Sequence, residues 1–141
     1  MKALLIALIL LGGAGAGAAD TAATEALNSF RAANNRAALS YSDLLETAAL
    51  RHARDMAAWE FFDHRGSDGS DVAQRVSRTG YRWCVVAENI AKGQATLQEV
   101  MSGWANSRGH RRNMLSREVT EFALVEAPGR IWVMVLAAPG C

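Results

Sequence analysis

The sequence predicts a mixed α+β domain in which helices come first, strands close the chain, and the helices pack on a small sheet. Three observations carry that prediction. Between Ser42 and Trp59, the residues Leu45, Ala48, Ala49, His52, Met56 and Trp59 recur mostly at spacings of three and four, the period of an amphipathic helix. Tyr81 to Ala87 is β-branched and aromatic enough for a strand. Residues 122–136 read as a β-hairpin about the turn pair Pro128-Gly129.

In chain order, a first helix is capped by Asp20, Thr21 or Thr24 and runs to about Asn34, with Ala23, Leu27 and Phe30 at helical spacing. Asn34-Asn35-Arg36 ends it. Ser42 opens the second helix, with Asp43 and Glu46 placing negative charge in its first turn. Trp59 closes its stripe and is read as core. Phe61-Phe62-Asp63-His64 leaves that helix, and Gly66 to Ser70 make a loop. Ser70 or Asp71 caps a short third helix through Val72 and Val76 to about Arg78, which Gly80 stops. A fourth helix starts at Ala95-Thr96, with Leu97, Val100, Met101 and Trp104 inward. Ser107 to Leu115 reads as a polar loop or turn. In the hairpin, Phe122, Leu124 and Glu126 alternate with Ala123 and Val125, and Ile131 to Leu136 is a continuous apolar strand buried on both faces.

Residues 1–19 read as a secretory leader. Lys2 precedes the apolar run Ala3 to Leu11, and small residues fill Gly12 to Ala19, so cleavage is expected after Ala18 or Ala19. The run is about half the ~20 residues that span a bilayer, and no membrane span is expected after cleavage. Residues 20–141 then form one domain, secreted or periplasmic. Without Lys2 the chain has 14 basic and 14 acidic residues. That balance excludes the basic excess of a nucleic-acid binder. Arg108, Arg111, Arg112 and Arg117 read as a solvated face. The two cysteines, in an oxidising compartment, predict a Cys84–Cys141 disulfide.

Three residues stand out for chemistry. His64 and His110 lie in polar segments between apolar elements, where binding groups tend to sit. Glu88, in Ala87-Glu88-Asn89-Ile90, is a carboxylate at the end of an apolar strand, so it is either exposed in a cleft or paired. Two imidazoles and a carboxylate suit a divalent metal such as zinc with an open position, or an acid/base set without metal, with Glu88 as the candidate catalytic group. His52, on the apolar stripe, reads as a hydrogen-bonded core histidine. Ser107 is near His110, but no Gly-x-Ser-x-Gly elbow marks it as a nucleophile.

The local strings carry a resemblance. Phe61-Phe62-Asp63-His64 is followed by Gly69, Arg75, Gly80-Tyr81, Glu88-Asn89-Ile90-Ala91, Gly93 and Trp104, and then by Ser107-Arg108-Gly109-His110-Arg111-Arg112-Asn113-Met114-Leu115. In this order they resemble the bacterial branch of the CAP (SCP) superfamily of cysteine-rich secretory, pathogenesis-related-like domains. The resemblance implies an α-β-α sandwich with a small, mostly antiparallel sheet between helices. It also implies a cleft of two histidines and two glutamates. His64 matches the first histidine, Glu88 the first glutamate and His110 the second histidine. Ser107, three residues after Trp104, stands where many relatives have the second glutamate. A hydroxyl cannot supply that charge, which weakens tight metal binding. Asn89 is expected to satisfy loop backbone groups. Glu121-Phe122-Ala123-Leu124 replaces a glycine-rich strand, and its bulk is expected to narrow the cleft.

The leading expectation is an exported domain whose cleft of His64, Glu88, His110 and Ser107 binds a ligand, a lipid or a peptide, together with a weakly held divalent metal on His64 and His110. Two other classes stay open: a metal-assisted hydrolase, and a structural or partner-binding module with a vestigial cleft. Membership of a fold family decides none of these.

Overall fold

A computed structural model describes residues 16–141. Most of the leader expected over residues 1–19 lies outside the described residues.

The first helix, α1 (Ala16–Ala33), begins upstream of the expected caps. The alanine-rich sequence at its start extends it, because alanine is the best helix former. A two-residue strand, β1 (Ser40–Tyr41), precedes α2 (Asp43–Ala58). Ser42 caps α2, its side chain accepting from the Leu45 amide, as the sequence implied. The stripe of α2 stops at Met56. Trp59 is 72% exposed, contrary to its reading as core. The helix ends at Ala58, and Glu60 turns to φ 53°, so Trp59 no longer continues the helical face.

The short helix α3 (Val72–Ser77) has a capping box: Asp71 accepts from the Gln74 amide, and Gln74 reaches back to the Asp71 amide. Next come β2 (Trp83–Lys92), α4 (Leu97–Ala105), α5 (Arg108–Met114), β3 (Glu121–Ala127) and β4 (Ile131–Pro139). Strand β2 starts later and runs five residues further than expected from 81–87. Helix α5 replaces the expected loop. It has little apolar periodicity, burying only Met114, so pattern reading missed it.

The sheet order is β1-β3-β4-β2, with antiparallel pairs except for the parallel contact of β1 with β3. Alternate residues enter opposite layers. Phe122, Leu124, Met134 and Leu136 pack under α1, α4 and α5 with Leu27, Trp104 and Met114. Ala123, Val133 and Val135 pack under α2 and α3 with Leu45, Met56 and Val76. The result is the α-β-α sandwich. Trp104 is core as expected, its indole donating to the Ile90 carbonyl at 3.2 Å. Cys84 and Cys141 are bonded, with Cα atoms 5.2 Å apart, tying the start of β2 to the last residue.

Candidate ligand cleft

Strand β2 is the outer strand of the sheet, so groups from both layers reach it. On β2, Val86 and Ile90 face the α2/α3 layer, and Glu88 between them shares that side. Asn89 shares the other side with Val85 and Ala91.

Glu88 therefore sits in the interior rather than at a strand end, its side chain only 2% exposed. Burying a carboxylate requires partners. Arg75 of α3 supplies one, with Nη2 donating to Oε2 at 2.8 Å. His64 supplies the other, its Nδ1 lying 2.8 Å from Oε1. The His64 ring itself remains 57% exposed.

The backbone around His64 is held by the same buried groups. Arg75 Nη1 donates to the carbonyls of His64 (2.9 Å) and Ser70 (2.8 Å). His52 Nε2 lies 2.9 Å from the Asp63 carbonyl and 3.9 Å from Glu88 Oε1. A carbonyl only accepts, so Nε2 donates, and His52 is the hydrogen-bonded core residue foreseen. Downstream, the Ser67 amide and hydroxyl donate to Asp55 at 2.8 and 2.6 Å. A Cβ at Gly66 would come within 2.9 Å of Ser70 Oγ and 3.0 Å of Asp68 Oδ1, so a side chain there would have to displace those groups.

His110 lies in the first turn of α5. Its Nδ1 is 2.9 Å from Ser107 Oγ, and that serine makes no side-chain cap for the helix. Asn89 ties this element to β2: its amide donates to the His110 carbonyl at 3.1 Å, and its Oδ1 accepts from Asn113 at 2.9 Å. It satisfies backbone as expected, though the backbone is helical.

Two imidazoles thus have Nδ1 engaged by different partners, a carboxylate and a hydroxyl. Their acidities diverge accordingly. The hydrogen bond to Glu88 raises the His64 pKa above its ordinary value, against opposing desolvation. Burial lowers that of His110, and the positive charge of His64 adds to the lowering. Burial also lowers that of His52, although Glu88 pulls the other way.

His64 and Glu88 are brought together in a cavity of about 300 Å³, with Asp63, Arg65, Asp71 and Val72 on its walls. His110 pairs with Ser107 instead of Glu88. Among the described residues no three His, Cys, Asp or Glu side chains converge as a metal-binding group. Both oxygens of Glu88, the third ligand expected for zinc, already accept hydrogen bonds, from His64 and from Arg75. The bulk at 121–124 does not narrow the cleft: Phe122 and Leu124 pack in the α1/α4/α5 layer, and β4 lies between β3 and β2. The framing role of Arg75 was not legible. Arg75 occurs in the family string, but spacing cannot show that an arginine is buried.

The sandwich fold and the order of its elements point to one family, and the profile of the cysteine-rich secretory protein family (CAP) matches residues 24–130. The chain belongs to that family. It is 34% identical over 96 residues to the "uncharacterized protein YkwD" of Bacillus subtilis, covering 67% of this chain and 37% of that one. It is 25% identical over 97 residues to the "uncharacterized membrane protein YlbC" of the same organism, covering 69% and 28%. The chain therefore spans about a third of the length of these relatives. An extracellular SCP-domain protein from Bacillus anthracis superposes with a TM-score of 0.81 at 21% identity, over 86% of this chain and 40% of the other. An outer surface protein from Borrelia burgdorferi gives 0.77 at 18% identity, over 85% and 92%. Among the described residues no helix is long and apolar enough to cross a membrane.

Proposed function

We propose that the chain is an exported binding domain whose cleft at the outer edge of β2 recognises a polar extracellular ligand through His64. One observation carries this reading. An exposed imidazole is held on a buried carboxylate that Arg75 already neutralises. Stability alone would not require that imidazole, whereas a fixed, solvent-facing ring with a raised pKa suits recognition. Of the two ligand classes expected, the walls favour a peptide over a lipid. Asp63, Arg65 and Asp71 offer hydrogen bonds and charge, and Val72 is the single aliphatic side chain. Export rests on the leader, on the disulfide and on the extracellular relative from Bacillus anthracis. Glu88 is engaged by Arg75 and His64, and His64 is the imidazole on the walls of this cavity, so recognition ranks ahead of metal-assisted hydrolysis.

The test is a titration of the isotope-labelled, exported protein with a panel of short peptides and a short-chain phospholipid. Saturable peptide-induced shifts at residues 63–72 and 88, reduced at least tenfold in His64→Ala, are expected. Shifts elsewhere, or undiminished in the folded variant, sink the reading. Zinc raising the melting temperature by several degrees, with the gain lost in His110→Ala, would restore the metal alternative.

A further inference from the structure

The opposite side of the sheet holds a second cavity with different chemistry. Strand β1 pairs with β3 only as far as Phe122, so the outer side of β3 beyond it has no strand partner. Helices α1, α2 and the start of α4 close over that stretch and leave about 330 Å³. Leu50, Leu97, Leu124 and Trp132 give it aliphatic and aromatic walls. The Trp132 indole donates to the Gln94 carbonyl at 3.0 Å, which fixes the plane of the ring.

The side-chain charges lining the cavity are all of one sign, and Glu46 and Glu126 keep that sign where leader cleavage places an α-ammonium beside Asp20. Asp20, Glu46 and Glu126 line it, and no lysine or arginine does. The Tyr41 hydroxyl donates to Glu46 Oε2 at 2.7 Å, bringing a second aromatic ring to the same place. A helix dipole accounts for Glu46, in the first turn of α2, but not for Glu126 on a strand. Glu126 and Trp132 are direct partners across β3 and β4, so this carboxylate stands beside the indole.

We propose that this cavity binds an organic ammonium ion carried on an aliphatic body. The walls take the body, while the aromatic rings and carboxylates take the cation. A fatty acid of the same length would bring its carboxylate against Glu46 and Glu126. A neutral lipid would gain nothing from them. The site lies at the other edge of the sheet from His64 and does not depend on the role of that cleft.

Three probes with one body and different heads test it: n-hexylammonium, 1-hexanol and hexanoate. Each is titrated into the exported, disulfide-bonded protein while the Trp132 indole resonance, assigned with Trp132→Phe, is followed. Hexylammonium should shift it saturably, bind at least tenfold more tightly than hexanol, and outcompete hexanoate entirely. Glu46→Gln/Glu126→Gln should remove most of that tenfold preference and leave the hexanol response in place, which shows that the variant is folded. Should the double variant unfold, Glu126→Gln alone, at an exposed position, should weaken hexylammonium severalfold. Equal binding of hexanoate, unchanged binding in the variants, or no response to hexylammonium overturns the assignment.

Discussion

Glu88 organises its neighbourhood by dividing two oxygens between two cations of different character. Arg75 is buried and always charged, so the pair must stay whole. His64 is exposed and titrates. Because its folded pKa is raised, its contribution to stability is fully present below the unfolded value of about 6.5 and is lost as pH rises through the folded value. That contribution is reduced by solvent around the ring. Glu88→Gln should bring the His64 pKa down to its ordinary value or below, read by NMR titration of the ring. The same change should cost about 3 kcal/mol in urea denaturation, since it leaves Arg75 buried without its counter-charge. A His64 titration unmoved by Glu88→Gln would disconnect the two groups. His64, Glu88 and His110 were legible as singular residues, because two loop histidines and a lone carboxylate in an apolar run are noticeable. Their grouping in one cleft came from the family resemblance, not from their spacing. Glu88 facing one layer and Asn89 the other is a matter of strand register, and the register appears only once β2 is known to extend to Lys92.

Helix α5 shows how an element can form without a sequence stripe of its own. Its last carbonyls are satisfied from elsewhere. Arg31, 2% exposed, donates from Nη1 to Met114 O at 2.7 Å and Ser116 O at 3.0 Å, and from Nε to Ala37 O at 2.7 Å. Arg36 donates to Leu115 O at 2.8 Å. Positive charge at a helix C-terminus is favourable, and these guanidinium groups replace the water that the carbonyls lose. Arg111, which the sequence suggested was a solvated surface group, donates to Asn34 Oδ1 at 2.7 Å and covers the Phe30 ring. Arg31→Met should destabilise the fold by about 3 kcal/mol by orphaning three carbonyls, measured by urea denaturation. It should loosen α5 selectively, seen as faster amide exchange at 111–115. Helix α2, helix α3 and the hairpin were legible because their caps, periods and turn residues agree. Strand β1 was not, since two residues carry no period.

At the scale of the whole molecule, the single disulfide joins β2 to the chain's last residue across 57 positions. The Gly140 amide donates to the Arg82 carbonyl at 3.0 Å beside it, so the covalent and hydrogen-bonded ties act at one corner. Reduction, or Cys84→Ser/Cys141→Ser, should cost roughly 2–4 kcal/mol, with a lower urea midpoint. The fold should survive, because both core layers are assembled independently of that corner. An unchanged midpoint would mean the tie adds nothing to an already fixed terminus. Helices packed on a small sheet were legible from the element order and the hairpin, and the sandwich from the resemblance; the strand order, which needs long-range pairing, was not. That order has a corollary. With His64 on the rim of the sheet, its exposed ring can be replaced without disturbing the apolar layers beneath, whereas the loop's backbone stays tied to buried Arg75 and His52.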